Sequence, residues 1–193
     1  SKSVSQTSLR DLVAFARANP GKVTYASSGI GSVTHLMMEL LNQRTGAKFE
    51  HVPYRGTAPA TADLASGRVD MTLASLASVK PMLDRGELRP IATATAARIP
   101  QLPDVPTAAE EGISGMDAPV WVGLVTRAGT PDAVIARLDE ALRKVMTNPT
   151  LLERLDPLGM APVAQGPAAF TATLQADAAL WKEAVARGNI TLN

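Results

Sequence analysis

Val23-Thr24-Tyr25-Ala26-Ser27-Ser28-Gly29-Ile30-Gly31-Ser32-Val33-Thr34-His35-Leu36 is the stretch that decides the fold. Val23 to Ser27 is a short β-prone run, SSGIGS is a glycine-containing loop, and Val33, Leu36, Met37, Leu40 and Leu41 recur at helical spacing until Gly46. The local order is strand, tight loop, helix. It repeats at once: Lys48 to Val52 reads as a strand, Pro53-Tyr54-Arg55-Gly56-Thr57 as a loop, Ala58 to Ala65 as a helix ended by Gly67, and Val69 to Ala74 as another strand. Such alternation predicts an α/β fold with a parallel sheet.

Working outward, Leu9, Leu12, Val13 and Ala16 mark a helix that Thr7 or Ser8 can cap and Asn19-Pro20-Gly21 stops. A short helix around Val79 to Leu83 and a strand from Leu88 to Thr95 follow, and the prolines of RIPQLPDVPT predict an extended connector. Trp121 to Thr126 is apolar enough for a buried strand. Gly129-Thr130-Pro131 then places a cap and an N1 proline before a helix striped by Val134, Ile135, Leu138, Leu142 and Val145. Asn148-Pro149 starts a short helix that Gly159 ends, and Pro167 opens a last amphipathic helix through Phe170, Leu174, Leu180, Trp181 and Val185. The change from alternating elements to mostly helix marks the one candidate domain boundary, near residues 117 to 130.

With 193 residues, a chain can bury roughly two-thirds of its unfolded surface and needs no staples. Nineteen basic against eighteen acidic residues, with no basic stripe, argue against nucleic acid. The absence of cysteine excludes disulfides and thiolate metal sites, and the two histidines are too few for a zinc cluster; the favoured reading below implies neither metal nor cofactor. No apolar stretch approaches the roughly 20 residues of a bilayer span. The start SKSVSQTSLRDL lacks the apolar core of a signal peptide, so any export signal is expected to have been removed.

Open α/β sheets bind ligands at the carboxyl ends of their strands, where Ser28, Gly29, Ile30, Gly31 and Ser32 stand. Glycine lets the backbone approach a ligand, the helix start offers unpaired N–H groups, and the Ser28 and Ser32 hydroxyls supplement them, which suits an anion. The simpler alternative is a tight turn with Ser32 as a plain helix cap. A dinucleotide fingerprint would need glycine at Thr34, and an α/β enzyme holding a phosphate-bearing cofactor on SSGIGS is the competing function.

The second strand-to-helix loop brings Tyr54, Gly56, Thr57 and Ala58 to the same edge, with Thr57 as a capping hydroxyl. Arg55 reads as a solvated loop residue rather than a carboxylate clamp. Ser75 and Ser78 follow a strand and reach this edge more weakly, with a plain N-cap role for Ser75 as the alternative; His35 either reaches the first loop or stands partly buried and bonded to backbone, whereas His51 belongs to its strand. Ser28, His35 and Asp70 could be nominated as a hydrolase triad, but no GxSxG elbow supports them. Catalytic residues are therefore not expected, and Tyr25, Trp121 and Trp181 read as core.

VTYASSGIGSVTHL, HVPYRGTAPATADLASGRVDM, LPDVPTAAEEG and GLVTRAGTPDAVIARLDEAL, in this order, resemble the tripartite tricarboxylate transporter substrate-binding family, also called Bug or TctC-like proteins. The resemblance runs through nearly the whole chain. It implies a periplasmic-binding-protein-like (type II) two-domain α/β fold. It also implies a periplasmic receptor that captures a small carboxylate (a dicarboxylate, amino acid or aromatic acid) for the transporter's membrane permease subunits or a signalling partner. The family's ligand loops map onto Ser28 to Ser32 with His35 and onto Tyr54, Gly56, Thr57 and Ala58.

The family usually carries asparagine or a similar polar group where Ala74 and Ser75 stand. It also has a further N-terminal segment, so the resemblance implies residues 1–19 as a helix leading from domain one, 20–117 as domain two, and 118–193 as the return segment and C-terminal helices of an incomplete domain one. Exposed sheet edges of that incomplete domain are expected to promote oligomerisation.

Overall fold

Ser8 opens the first helix, α1 (Leu9–Ala18), by accepting the Asp11 amide on its Oγ at 3.0 Å, which satisfies one of the orphan donors of a helix start. Leu9, Leu12, Val13 and Ala16, the apolar stripe of the sequence, are all buried. The structure is a computed structural model that describes residues 1–117, 120–188 and 190. Residues 1–120 with 183–193 pack as one compact unit and residues 121–182 as another.

In the first unit β1 (Thr24–Ser27) is followed by α2 (Val33–Thr45), β2 (Glu50–Pro53), α3 (Thr57–Ser66), β3 (Met71–Thr72) and α4 (Leu76–Asp84). The sheet has the order β2-β1-β3, and both pairings are parallel. Register sets Tyr25 opposite His51 and Ser27 opposite Pro53. Because strand side chains alternate between faces, Tyr25 and Ser27 turn to one side and Ala26 to the other. Ala26 joins Ala60, Leu64, Val69 and Leu88 in a core cluster flanked by Val52, Tyr54 and Met82. On α2, Leu36, Met37, Met38, Leu40 and Leu41 are buried, and Gly46 caps the helix at φ 67°.

The third strand is shorter than its sequence predicts: of Val69 to Ala74 only Met71 and Thr72 join the ladder. Asp70 instead docks on β1, its Oδ2 accepting both the Thr24 amide and the Thr24 hydroxyl at 2.8 Å, while its own amide donates to Thr24 Oγ1 at 3.1 Å. The strand expected over Leu88 to Thr95 does not form. Pro90 removes a ladder donor, and only Thr93 pairs, in an isolated parallel bridge with Thr107.

RIPQLPDVPT is also not extended. Pro100 and Pro103 each occupy the second position of a turn, closed by Leu102 N–H to Ile99 O at 3.0 Å and Val105 N–H to Leu102 O at 3.1 Å, the position that a fixed proline φ favours.

The second unit carries α5 (Asp132–Val145), α6 (Pro149–Leu155) with a 3-10 turn (Asp156–Leu158), and most of α7 (Pro167–Gly188). Pro131 falls at the cap of α5 rather than at its first position, whereas Asn148 caps α6 as its sequence requires, accepting from Leu151 N–H at 3.3 Å. Trp121 to Thr126, expected as a buried strand, forms no ladder among the described residues. Val122 is 83% exposed and Val125 75%. Trp121 is also not the core residue its sequence context predicts: it is 40% exposed, edge-on against Phe170 at 5.0 Å, with its indole N–H on Asp177 Oδ2 at 2.5 Å. The expected boundary between residues 117 and 118 adjoins Ala118 and Pro119, which lie outside the described residues.

Asp70→Ala removes the carboxylate that ties β3 to β1, and urea denaturation is expected to show a loss of about 2 kcal/mol, the scale of hydrogen bonds to a charged acceptor left unmade.

Candidate functional site

The carboxyl ends of β1 and β2 release two loops toward the first turns of α2 and α3, and these loops are laced together. Tyr54 N–H donates to Ser27 O at 3.1 Å and Gly56 N–H to Ser28 O at 3.2 Å. The approach is close enough that a Cβ on Gly29, whose φ is 136°, would stand 3.4 Å from Tyr54 O. Gly56 takes φ 106° at the cap of α3, a conformation that disfavours any side chain.

Inside SSGIGS most donors are already spoken for. Ser28 N–H goes to Thr34 Oγ1 at 3.0 Å, Gly29 N–H to Ser27 Oγ at 3.2 Å, Gly31 N–H to His35 Nδ1 at 3.0 Å and Ser32 N–H to Gly29 O at 3.2 Å. Ser32 caps α2 by accepting His35 N–H at 3.3 Å, and its hydroxyl donates to Gly29 O at 2.6 Å. Among the described residues the amides of Ile30, Val33 and Thr34 keep no partner, the last two being unpaired N–H groups of the helix start as the sequence predicts.

The start of α3 carries no side-chain cap bond. Thr57 is its first helical residue rather than the expected capping hydroxyl, and it is exposed with Ala58. Two helix starts, each with partial positive character, therefore open on one sheet edge.

Three other expected residues lie differently from the loop amides. Tyr54 sends its hydroxyl to Asp63 Oδ2 at 2.9 Å, so its contribution to the edge is main-chain. Ser75 lies past the end of β3 with its hydroxyl on Ser78 Oγ at 3.2 Å, not on either loop. His35 is 6% exposed and sits beneath SSGIGS. Arg55 is exposed. Ser28, His35 and Asp70 are not brought together as a triad: Ser28 Oγ meets Thr34 Oγ1 at 3.2 Å, His35 holds Gly31 and Asp70 holds Thr24.

Sequence reasoning missed Ser27, Thr34 and His51. Ser27, 1% exposed, has its Oγ 2.6 Å from His51 Nε2. His51 stacks on His35 at 4.0 Å and on Tyr25 at 4.8 Å, and Tyr25 O–H donates to Glu39 Oε1 at 2.7 Å. The available signal was a serine closing a β-prone run at the end that meets the loop, since a buried serine needs a partner. Burial lowers the His35 pKa against an opposing pull from Glu39, and burial followed by the neighbouring His35 lowers that of His51 to about 4. Burial and the Glu39 carboxylate keep the Tyr25 phenol protonated.

The comparisons with known proteins agree with this architecture. A family model described as the tripartite tricarboxylate transporter family receptor matches residues 2–189, and the chain belongs to that family. Its fold is similar to Rpa4515 of R. palustris, solved with adipate, at TM-score 0.90 and 34% identity over 98% of this chain and 64% of that one. It is similar to the periplasmic binding protein BugD at TM-score 0.87 and 28% identity, over 97% and 63% of the two chains. MatC from Rhodopseudomonas palustris, solved with bound malate, matches at TM-score 0.83 and 29% identity, over 92% and 62%. The α/β fold is that of the periplasmic binding proteins. The chain spans about half the length of the curated relatives it matches, 55% and 47% of two that are 34% and 35% identical.

Both imidazoles titrate below their ordinary value of 6.5, so between there and about 4 the unfolded chain binds protons that the folded one resists. Stability is expected to fall as pH falls through that window. Denaturation midpoints measured at steps across it should decline for the native sequence and decline less steeply for His51→Gln, which removes one of the two titrating rings.

Proposed function

We propose that this chain carries one wall of the ligand cleft of a periplasmic receptor that captures a small carboxylate and passes it to the membrane permease subunits of a tripartite tricarboxylate transporter or to a signalling partner. In this reading residues 20–117 are the domain that bears this wall, and residues 1–19 and 118–193 belong to the other domain. The protein binds and releases without transforming its ligand. One observation carries the proposal: the free amides of Ile30, Val33 and Thr34 and the uncapped start of α3 converge on a single sheet edge.

Main-chain donors fixed in advance stabilise an anion without the reorganisation a mobile cation would need. The carboxylates adipate and malate, bound by Rpa4515 and MatC, are of the right class. Their carboxylates fit a socket of N–H groups supplemented by the Ser28 hydroxyl, while Ser32 holds the loop through Gly29 O. Gly29, Gly31 and Gly56 supply the close approach, and Tyr54, Thr57, Ala58 and Ser75 shape the rim. Water bridges accommodate differences in ligand length.

The test is amide NMR of this chain with millimolar adipate, malate, the neutral diamide of adipate, and ATP. Adipate or malate is expected to shift the Ile30, Val33 and Thr34 resonances while the diamide leaves them in place. Shifts produced by ATP and by no carboxylate overturn the proposal in favour of a phosphate-bearing cofactor.

Oligomerisation is the second part of the proposal, supported by the exposed apolar run Val122, Leu124 and Val125. Apolar surface of this kind favours association. Light scattering is expected to give a mass that rises with concentration, and Val122→Lys with Val125→Lys to lower it. A monomer at all concentrations refutes this part.

A further inference from the structure

The loop that offers its remaining amides to a ligand is itself held from below, and the holding groups are the chain's two histidines. His35 Nδ1 accepts Gly31 N–H at 3.0 Å. That bond requires the ring nitrogen to be unprotonated, which places the proton of the neutral ring on Nε2. His51 acts one step further back: its Nε2 is 2.6 Å from Ser27 Oγ, and the same Oγ accepts Gly29 N–H at 3.2 Å. The two rings stack at 4.0 Å with their planes 10° apart, and the Tyr25 ring lies beside both, 4.8 Å from His51 and 6.4 Å from His35.

We infer that His35 and His51 form a two-ring buttress that positions the SSGIGS loop, His35 by fixing Gly31 and His51 by fixing Gly29 through Ser27, so that the amides of Ile30, Val33 and Thr34 face outward in a preset arrangement. His35 is then a positioning residue rather than a ligand contact. Its burial, 6% exposed, and the engagement of Nδ1 with the loop both fit that role. The inference rests on the carboxylate reading for what the loop binds, but not for how the loop is held.

Stacking ties the two supports together. Protonating either ring changes its bonding, and two charged imidazoles at this spacing repel one another. The groups that face the pair are Tyr25 from β1 and Glu39 from α2, with Glu50 of β2 acting on Tyr25. Glu39 is itself engaged by the Tyr25 hydroxyl and by Asn42 Nδ2 at 3.1 Å. Acid therefore loosens the loop from beneath.

The two histidines use different ring nitrogens, and this gives a test that space-filling alone cannot imitate. An asparagine amide reaches where Nδ1 of histidine stands, and a glutamine amide reaches where Nε2 stands. His35→Asn and His51→Gln are therefore the conservative variants, whereas His35→Gln misplaces the acceptor for Gly31 N–H and His51→Asn misplaces the group paired with Ser27 Oγ. Hydrogen exchange of the Gly31 amide, followed by NMR on this chain, is expected to accelerate roughly fivefold or more in His35→Gln, the scale of one lost hydrogen bond, and little in His35→Asn. Gly29 is expected to show the reverse preference, accelerating in His51→Asn and not in His51→Gln. Equal acceleration in both variants at each position overturns the inference.

Where a misplacing variant does not fold, the imidazole nitrogen shifts of the unmutated chain decide. An acceptor-type Nδ1 on His35 supports the buttress, and a protonated Nδ1 overturns it. Adipate titrations of the five proteins add the functional arm. Weaker binding only in His35→Gln and His51→Asn supports the role in the cradle, and equal binding in all five refutes that role. Adipate binding to none refutes the carboxylate reading, with amide exchange still deciding how the loop is held.

Discussion

Ser27 closes the central strand with a hydroxyl that water does not reach, and a buried hydroxyl must find partners inside the protein. Its solution organises the whole carboxyl edge of the sheet. The parallel register sets His51 of β2 within reach of Ser27, and the chain folds back so that Gly29 bonds the same oxygen. Once Gly29 is placed, Ser32 bonds its carbonyl, α2 begins, and His35 returns under the loop to take Gly31. The path from strand to helix is a closed circuit of hydrogen bonds. Its leftover donors are the ones available to a ligand.

The central architecture was legible because its punctuation is local. Ser8, Ser32 and Asn148 each cap the helix that follows, and Gly46, Gly67 and Gly159 each end one in the left-handed conformation. Those signals depend on a few neighbouring residues and survive any tertiary context. Strands depend on partners far along the chain, and here the reading failed. Leu88 to Thr95 and Trp121 to Thr126 have the composition of strands, yet composition does not supply a ladder. The prolines after Arg98 predict an extended connector, yet their fixed φ equally suits the turns that Pro100 and Pro103 occupy.

The candidate edge was legible in outline for the same reason: two strand-loop-helix units must deliver both loops to one side of a parallel sheet. What was not legible was the division of labour within the loop. Nothing in SSGIGS by itself reveals that four of its amides are internally bonded. That outcome needs Thr34 and His35 one helical turn later, and His51 from another strand. The pairing of Tyr54 with Asp63 likewise depends on how α3 lies against its strand, which spacing does not encode.

Gly29 standing close to Tyr54 O has a consequence for how such a protein can change over generations. Main-chain N–H groups cannot be deleted by exchanging a side chain, so the donor pattern of this edge is shielded from most substitutions. Inheritance acts instead on the shape of the path: on glycines that permit it and on the rings and hydroxyls that brace it. A lineage can thus redecorate the rim freely while the arrangement of amides persists as a fixed fitting. Its vulnerability lies in residues beneath the loop rather than on its surface.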